Sequence, residues 1–365
     1  MRRVSAWVLV PLLATPLSAA DWPVFRGNRE MTGTATATLP DQLAERWTFQ
    51  TGNAIEGAPA IVGNVVYVAS MDKFLYALDL ATGQQKWKTN LGLVKASPAV
   101  ANGRVYIGNI DGKFHCLDAT NGKILWEFDT AGEITAGANF HKENILVGSH
   151  DSTLYCLSTE GKKLWEYKID GPVNGAAAVA GDRTFVAGCD SVLHVIDANT
   201  GKQLGTVDIG GQAGATAAVS GDVAYVGTMS NQIVGVDVKA PKKLWEFEPK
   251  RRAQPFYSSA AVTEAFVVDG SRDKKIYALD RKTGKEVWSV VTDGMVDSSP
   301  VVVGNRVYIG SLSTDSEFFV LDLATGKQIQ KLDLGSAITG SVAVAGDCVF
   351  VGTDKGTLYC LGAKK

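Results

Sequence analysis

Three groups of residues in this sequence are of types that do chemistry. The first is a run, Pro249-Lys-Arg251-Arg252-Ala-Gln-Pro-Phe256-Tyr257, which joins three positive charges to two aromatic rings, with Arg272 a short way on. Arg and Tyr dominate the energetics of protein interfaces, so Arg251, Arg252, Phe256, Tyr257 and Arg272 are candidates to hold a partner. A solvated basic loop is the competing reading. The second group is two carboxylates, Glu56 and Asp297, which as a pair could bind a cation or serve hydrolysis, but which are expected to stand too far apart to share a proton. The third is sulfur and imidazole: cysteines at 116, 156, 189, 348 and 360, and histidines at 115, 141, 150 and 194. Zinc needs such ligands converging at recognisable spacing, and no such spacing occurs here.

The elements that must position these residues repeat along the chain. Each copy starts with a run of small apolar residues, turns at Gly-Asn or Gly-Asp, and continues as an alternating strand. A third strand then ends in Leu-Asp, a Thr-Gly turn follows, and a last strand carries Trp. The first copy reads Ala58-Pro-Ala-Ile-Val-Gly-Asn64, Val65 to Ser70, Phe74 to Asp79, Thr82-Gly83 and Gln84 to Trp87. The strand-ending Asp recurs at 79, 118, 197, 237, 280 and 322, with Ser158 and Gly362 in its place in the third and eighth copies. Short strands of period two, each closed by a turn, describe a β-propeller blade. Eight copies predict an all-β, eight-bladed propeller of four-stranded blades. The eighth copy stops at Leu361, short of its Trp-bearing strand. Glu45-Arg-Trp47-Thr-Phe49 supplies that strand from the other end, so the ring closes on its own N-terminal strand.

The repeat assigns many conspicuous residues to architecture. Tryptophans 47, 87, 126, 165, 245 and 288 hold one blade position and pack an outer strand on its neighbour. Gly205 and Gln330 replace Trp in the fourth and seventh blades, where looser packing is expected. Cys116, Cys156 and Cys360 alternate with Ala, Val and Gly at one strand position, as small buried residues do. Each turn Asp is expected to hold nearby backbone N–H groups. The same alignment sets Glu56, Lys95, Thr135, Asn174, Gly214, Tyr257, Asp297 and Thr339 at the entrance of the central channel, a ring too varied to reflect packing alone.

The opening of the chain reads differently. Arg2 and Arg3, the apolar stretch Ala6 to Leu17, and Ser18-Ala19-Ala20 lay out a cleavable secretory signal cut after Ala20. The expected organisation is a signal at 1–20, an extension at 21–42 and the propeller at 43–365. No cysteine near the cut offers a lipid anchor, so a periplasmic or otherwise exported protein is expected. Without the signal, Lys+Arg falls from 36 to 34 against 38 Asp+Glu, a net charge of −4. Nucleic acid wants a clear excess of cations, which argues against it as the partner.

Taken together, the motifs resemble the PQQ-type propeller repeat, Ala-x-Asp-x-x-Thr-Gly-x-x-x-Trp. Ala77 to Trp87 and Ala278 to Trp288 meet it in full, and Cys116 to Trp126 meets it with two substitutions. Asp21-Trp-Pro-Val-Phe-Arg-Gly-Asn28 is similar to a segment that precedes the propeller in many exported bacterial proteins of this type. By layout the chain resembles BamB-like periplasmic scaffolds, although those are usually lipoproteins. The resemblance also reaches quinoprotein dehydrogenases, which hold PQQ over a disulfide of adjacent cysteines beside a Ca²⁺, in pockets built by long insertions. Here no two cysteines are adjacent and the loops are short, so neither PQQ nor another cofactor is expected. The reading this supports is a non-catalytic exported scaffold that engages an envelope protein or peptide through the loops of one face. Binding of an envelope carbohydrate or small ligand is the alternative, and a PQQ-dependent dehydrogenase comes last.

Overall fold

A computed structural model describes residues 21–313 and 317–364; the signal segment lies outside the described residues. Among these the strands form eight sheets arranged as blades around an axis. The first blade is Ala60–Val62, Val65–Ala69, Phe74–Asp79 and Gln85–Asn90, ordered from the channel outwards. The last is Ala343–Ala345, Cys348–Gly352 and Thr357–Gly362, completed by Ala44–Gln50 from the start of the chain. That strand pairs antiparallel with Thr357–Gly362, setting Trp47 opposite Cys360 and Gln50 opposite Thr357. The ring therefore closes as the repeat predicts.

Side-chain architecture follows the repeat and adds a direction to it. Trp47 lies on the Gly83 turn of the first blade and donates its Nε1–H to the Leu80 carbonyl at 3.0 Å. Trp87, Trp126, Trp245 and Trp288 do the same to Ala119, Thr159, Arg281 and Leu323, each in the following blade. The turns beneath are pinned by their Asp: Asp280 Oδ1 accepts from the backbone N–H and the hydroxyl of Thr283, and Asp322 from those of Thr325. Those hydrogen bonds hold both carboxyls below the usual carboxylate range.

The two positions without Trp are not loose. A Cβ on Gly205 would stand 2.6 Å from Pro241 Cγ, so the proline of the next blade's turn fills the space. Gln330 exchanges two hydrogen bonds with the backbone of Leu43, 2.9 and 2.8 Å, and so grips the incoming N-terminal strand. A second device joins blades near the channel. Glycines 108, 148, 227, 270, 310 and 352, on second strands, each receive an apolar side chain from the following blade: Ile134, Val173, Phe256, Val296, Ile338 and Ile55. A side chain at any of these glycines would occupy the place of its neighbour's knob.

The segment 21–35 is part of the ring. Trp22 bonds Ile61 in both directions, and the carbonyls of Pro23, Arg29, Glu30, Thr32 and Gly33 accept from the N–H groups of Val100, Val179, Val219, Val262 and Val302. These donors hold one register position on successive inner strands, of the first, second, fourth, fifth, sixth and seventh blades. In the third, Asn139 reaches over instead and donates to the Arg29 carbonyl at 2.8 Å. Thr34–Ala35 then pairs parallel with Val302 and Val303. The segment thus pairs with the inner edges of six of the eight blades, edges that a propeller otherwise turns toward its channel.

Candidate functional site

Each loop that enters a blade is built in three layers. A buried apolar residue comes first, at Ile55, Val94, Ile134, Val173, Ala213, Phe256, Val296 and Ile338, each fully screened from solvent or nearly so. The mouth residue follows it. Two residues further on, a hydroxyl completes an interblade bond: Ser97, Thr216, Ser259, Ser299 and Ser341 each accept from a backbone N–H of the preceding blade, at 2.8 to 3.3 Å. The belt breaks where the equivalent residue is Ala58, Gly137 or Ala176, which have no hydroxyl.

The mouth encloses a depression of about 160 Å³ floored by Phe25 and lined by Glu56, Lys95, Thr135, Asn174, Gly214, Tyr257 and Asp297. Ser341 represents the eighth loop there, while Thr339 turns its hydroxyl to Asp354 at 2.8 Å. Within the ring the charges are paired. Lys95 Nζ is 3.9 Å from Glu56 Oε2. Arg272 grips Asp297 through two parallel bonds, Nε to Oδ1 at 2.9 Å and Nη2 to Oδ2 at 2.7 Å. Its guanidinium carbon lies 3.9 Å from the centroid of Tyr257. The bonds to Asp297 raise the Arg272 pKa above its already high ordinary value, so the cation is permanent. Tyr257 leans over Gly214, where a Cβ would stand 2.8 Å from the ring.

Several expectations are corrected by this geometry. Phe256 does not face a partner: it is fully buried between Gly227 and Tyr277, because it is the knob of its loop. Aligning the eight copies one residue upstream of the mouth ring would have revealed this. Arg272 is not a free charge on a basic loop but one half of an ion pair. The two mouth carboxylates face different cations, Asp297 bound by Arg272 at 2.7 Å and Glu56 near Lys95 at 3.9 Å. Arg251 and Arg252 are exposed, and Arg251 lines a groove between the fifth and sixth blades, away from the mouth depression. The Pro249–Tyr257 segment therefore splits into an exposed basic tip and a stacked mouth residue.

The channel beneath carries what the sequence did not reveal. Arg26 is fully buried, and its Nη2 donates to the carbonyls of Ala260 and Pro300. Burial pushes its pKa down to about 9, against the pull of Asp269. Asp269, also fully buried, is pushed up to about 7 by burial, although Ser258, Gly270 and Arg26 all favour its ionised form.

These features do not fit a pyrroloquinoline quinone. The quinone has three carboxylates, and the mouth cations that could meet them already face carboxylates of the chain, Arg272 bound to Asp297 and Lys95 near Glu56. Among the described residues no cluster of three His, Cys, Asp or Glu is placed to hold a metal ion. The five cysteines are all free thiols.

The fold and repeat define a PQQ-type eight-bladed propeller. The family described as outer membrane protein assembly factor BamB matches residues 31–136, 110–254, 242–329 and 314–365, and the chain belongs to it. No curated protein sequence matches. Among solved structures, BamB from Moraxella catarrhalis superposes with a TM-score of 0.75 at 20% identity, over 88% of this chain and 98% of that one. A europium-containing methanol dehydrogenase matches at 0.77 with 16% identity, over 95% and 98%. A quinohemoprotein alcohol dehydrogenase from Comamonas testosteroni matches at 0.80 with 13% identity, over 95% and 81%. At these identities the structural likenesses concern the fold.

Proposed function

We propose that this chain is a non-catalytic, exported scaffold that binds a protein or peptide of the cell envelope on its mouth face. The family to which it belongs is described as an assembly factor, which supports the reading. The observation that carries it is the Tyr257–Arg272–Asp297 stack. The guanidinium is fixed on both sides before any partner arrives, so little side-chain entropy remains to be lost on docking. Tyr and Arg held in this way at the centre of a rim of short loops are the composition of an interface hot spot. Sharing a fold with dehydrogenases does not carry their chemistry.

The test is photo-crosslinking in cells with a photoreactive residue at Tyr257 and, as control, at Gln84 on the opposite face. Gln84 is exposed, whereas its neighbour Gly83 is buried under Trp47. One defined envelope protein captured from position 257, and not from 84, is the expected result. No capture from either position, or the same proteins from both, would refute it.

A further inference from the structure

The outer strand of a blade has an unpaired edge, and natural proteins protect such edges with charge or distortion. The outer strands here carry charges within or at the end of the strand, as in Gln85–Asn90 (QKWKTN) and Lys163–Lys168 (KLWEYK). The fourth and sixth blades have one charge each, at a strand end: Gln203–Asp208 reads QLGTVD, and Glu286–Val291 reads EVWSVV with its charge at the first residue, before the ladder becomes regular. Val291 is 71% exposed, the most exposed large apolar side chain among the described residues, and Val287 on the same strand is 48% exposed. The ladder shift at Val287 disturbs the start of the strand only, and Trp288 to Val291 pair regularly with Ala278 to Lys275.

This edge borders a groove of about 680 Å³ between the fifth and sixth blades. Register sets Ser289 beside Tyr277 and Val291 beside Lys275, so these side chains share the face turned to the groove. Phe247 and Tyr277 meet there edge to face, their centroids 5.3 Å apart. Lys250, Arg251, Lys275 and Lys285 line it, and none of the four is in an ion pair among the described residues. Glu246, Glu248 and Glu286 share the walls, but Lys243 holds Glu246 at 2.6 Å. The groove therefore keeps more free cations than free anions.

We infer that the outer strand of the sixth blade is a docking edge for an extended acidic peptide segment, which adds to Trp288–Val291 as a fifth strand. Backbone pairing along the edge supplies the affinity. Alternate side chains of the segment enter the groove, where carboxylates meet Lys250, Arg251 and Lys275, while the apolar side chains between them lie on the other face of the added strand. The inference rests on the reading of the chain as a peptide-binding scaffold and names a second surface for it, distinct from the mouth.

The experiment uses the exported chain and two labelled ten-residue peptides, one alternating Val with Asp or Glu and the other alternating Val with Lys. The acidic peptide is expected to bind at least about tenfold more tightly, to lose about tenfold on Val291→Glu, and to slow amide hydrogen exchange at Ser289 to Val291. Lys250→Glu/Arg251→Glu is expected to weaken it without altering the strand. Failure of the acidic peptide to bind, equal binding of the two peptides, undiminished binding by Val291→Glu, or binding without slowed exchange would each overturn the inference. Binding lost on Tyr257→Ser but kept by Val291→Glu would overturn it while leaving the mouth-face scaffold standing.

Discussion

Asp269 offers a direct test of how dry the channel beneath the mouth is. The perturbation is Asp269→Asn, which keeps the shape of the group and its contacts with Ser258 and Gly270 while removing its titration. An unfolded Asp releases its proton near 3.8, whereas Asp269 holds it until about 7 in the folded chain. The folded state therefore binds more protons between those values. Stability from this group is fully present below 3.8, falls as pH rises through the interval, and is level above 7. At 1.36 kcal/mol per pH unit over that interval, the wild type loses about 4 kcal/mol relative to the Asn variant. The exposed turn carboxylates, such as Asp280 and Asp322, titrate alike in both proteins and cancel. Denaturant unfolding followed by tryptophan fluorescence between pH 4 and 8 measures the two stability curves. Curves that run parallel through pH 4 to 7 would refute the reasoning, because they would mean that Asp269 ionises in the fold as it does in water.

Two further outcomes test the contacts between blades. Gly352→Ala places a methyl group against Ile55 across the closing junction, and should destabilise the ring by about 1–3 kcal/mol in thermal unfolding, whereas Gly63→Ala, with open space around its Cβ, should cost only the strain of its positive φ. Ser299→Ala removes the acceptor of the Ser259 N–H, a buried donor, and should cost about 1–3 kcal/mol; the same substitution at half-buried Ser289, whose hydroxyl bonds only the exposed Glu286, should change stability little.

How much of this was legible in the sequence depends on whether side chains or backbone carry the contact. Trp288, Gly326 and Asp322 are specified by type, because an indole must lie on a turn that only glycine allows, so the repeat disclosed them. The inner-edge segment 21–35 bonds successive blades through its carbonyls, which every residue possesses, so its sequence bears no mark of the partners. Phe256 was misread because its aromatic type outweighed its place in the repeat. Gly205 and Gln330 looked like losses because the residues that compensate, Pro241 and Leu43, lie far from them in sequence.

The mouth shows the same division. Periodicity alone brought Glu56, Lys95, Thr135, Asn174, Gly214, Tyr257 and Asp297 to one rim, since eight equivalent loops of a closed ring must share a face. It could not say which of them interact. The pairing of Arg272 with Asp297 joins two consecutive blades and depends on where a long side chain ends, and that is set by the stacking of its guanidinium on Tyr257. The sequence by itself thus determined the all-β class, the blade number, the closing strand and the ring of mouth positions, because a short repeat cannot bury its apolar faces except against copies of itself. The tertiary structure alone decided the closure of the inner edges by residues 21–35, the buried Arg26 and Asp269, and the neutralised charges of the mouth, because these arise where unlike segments converge on an axis that no single repeat contains.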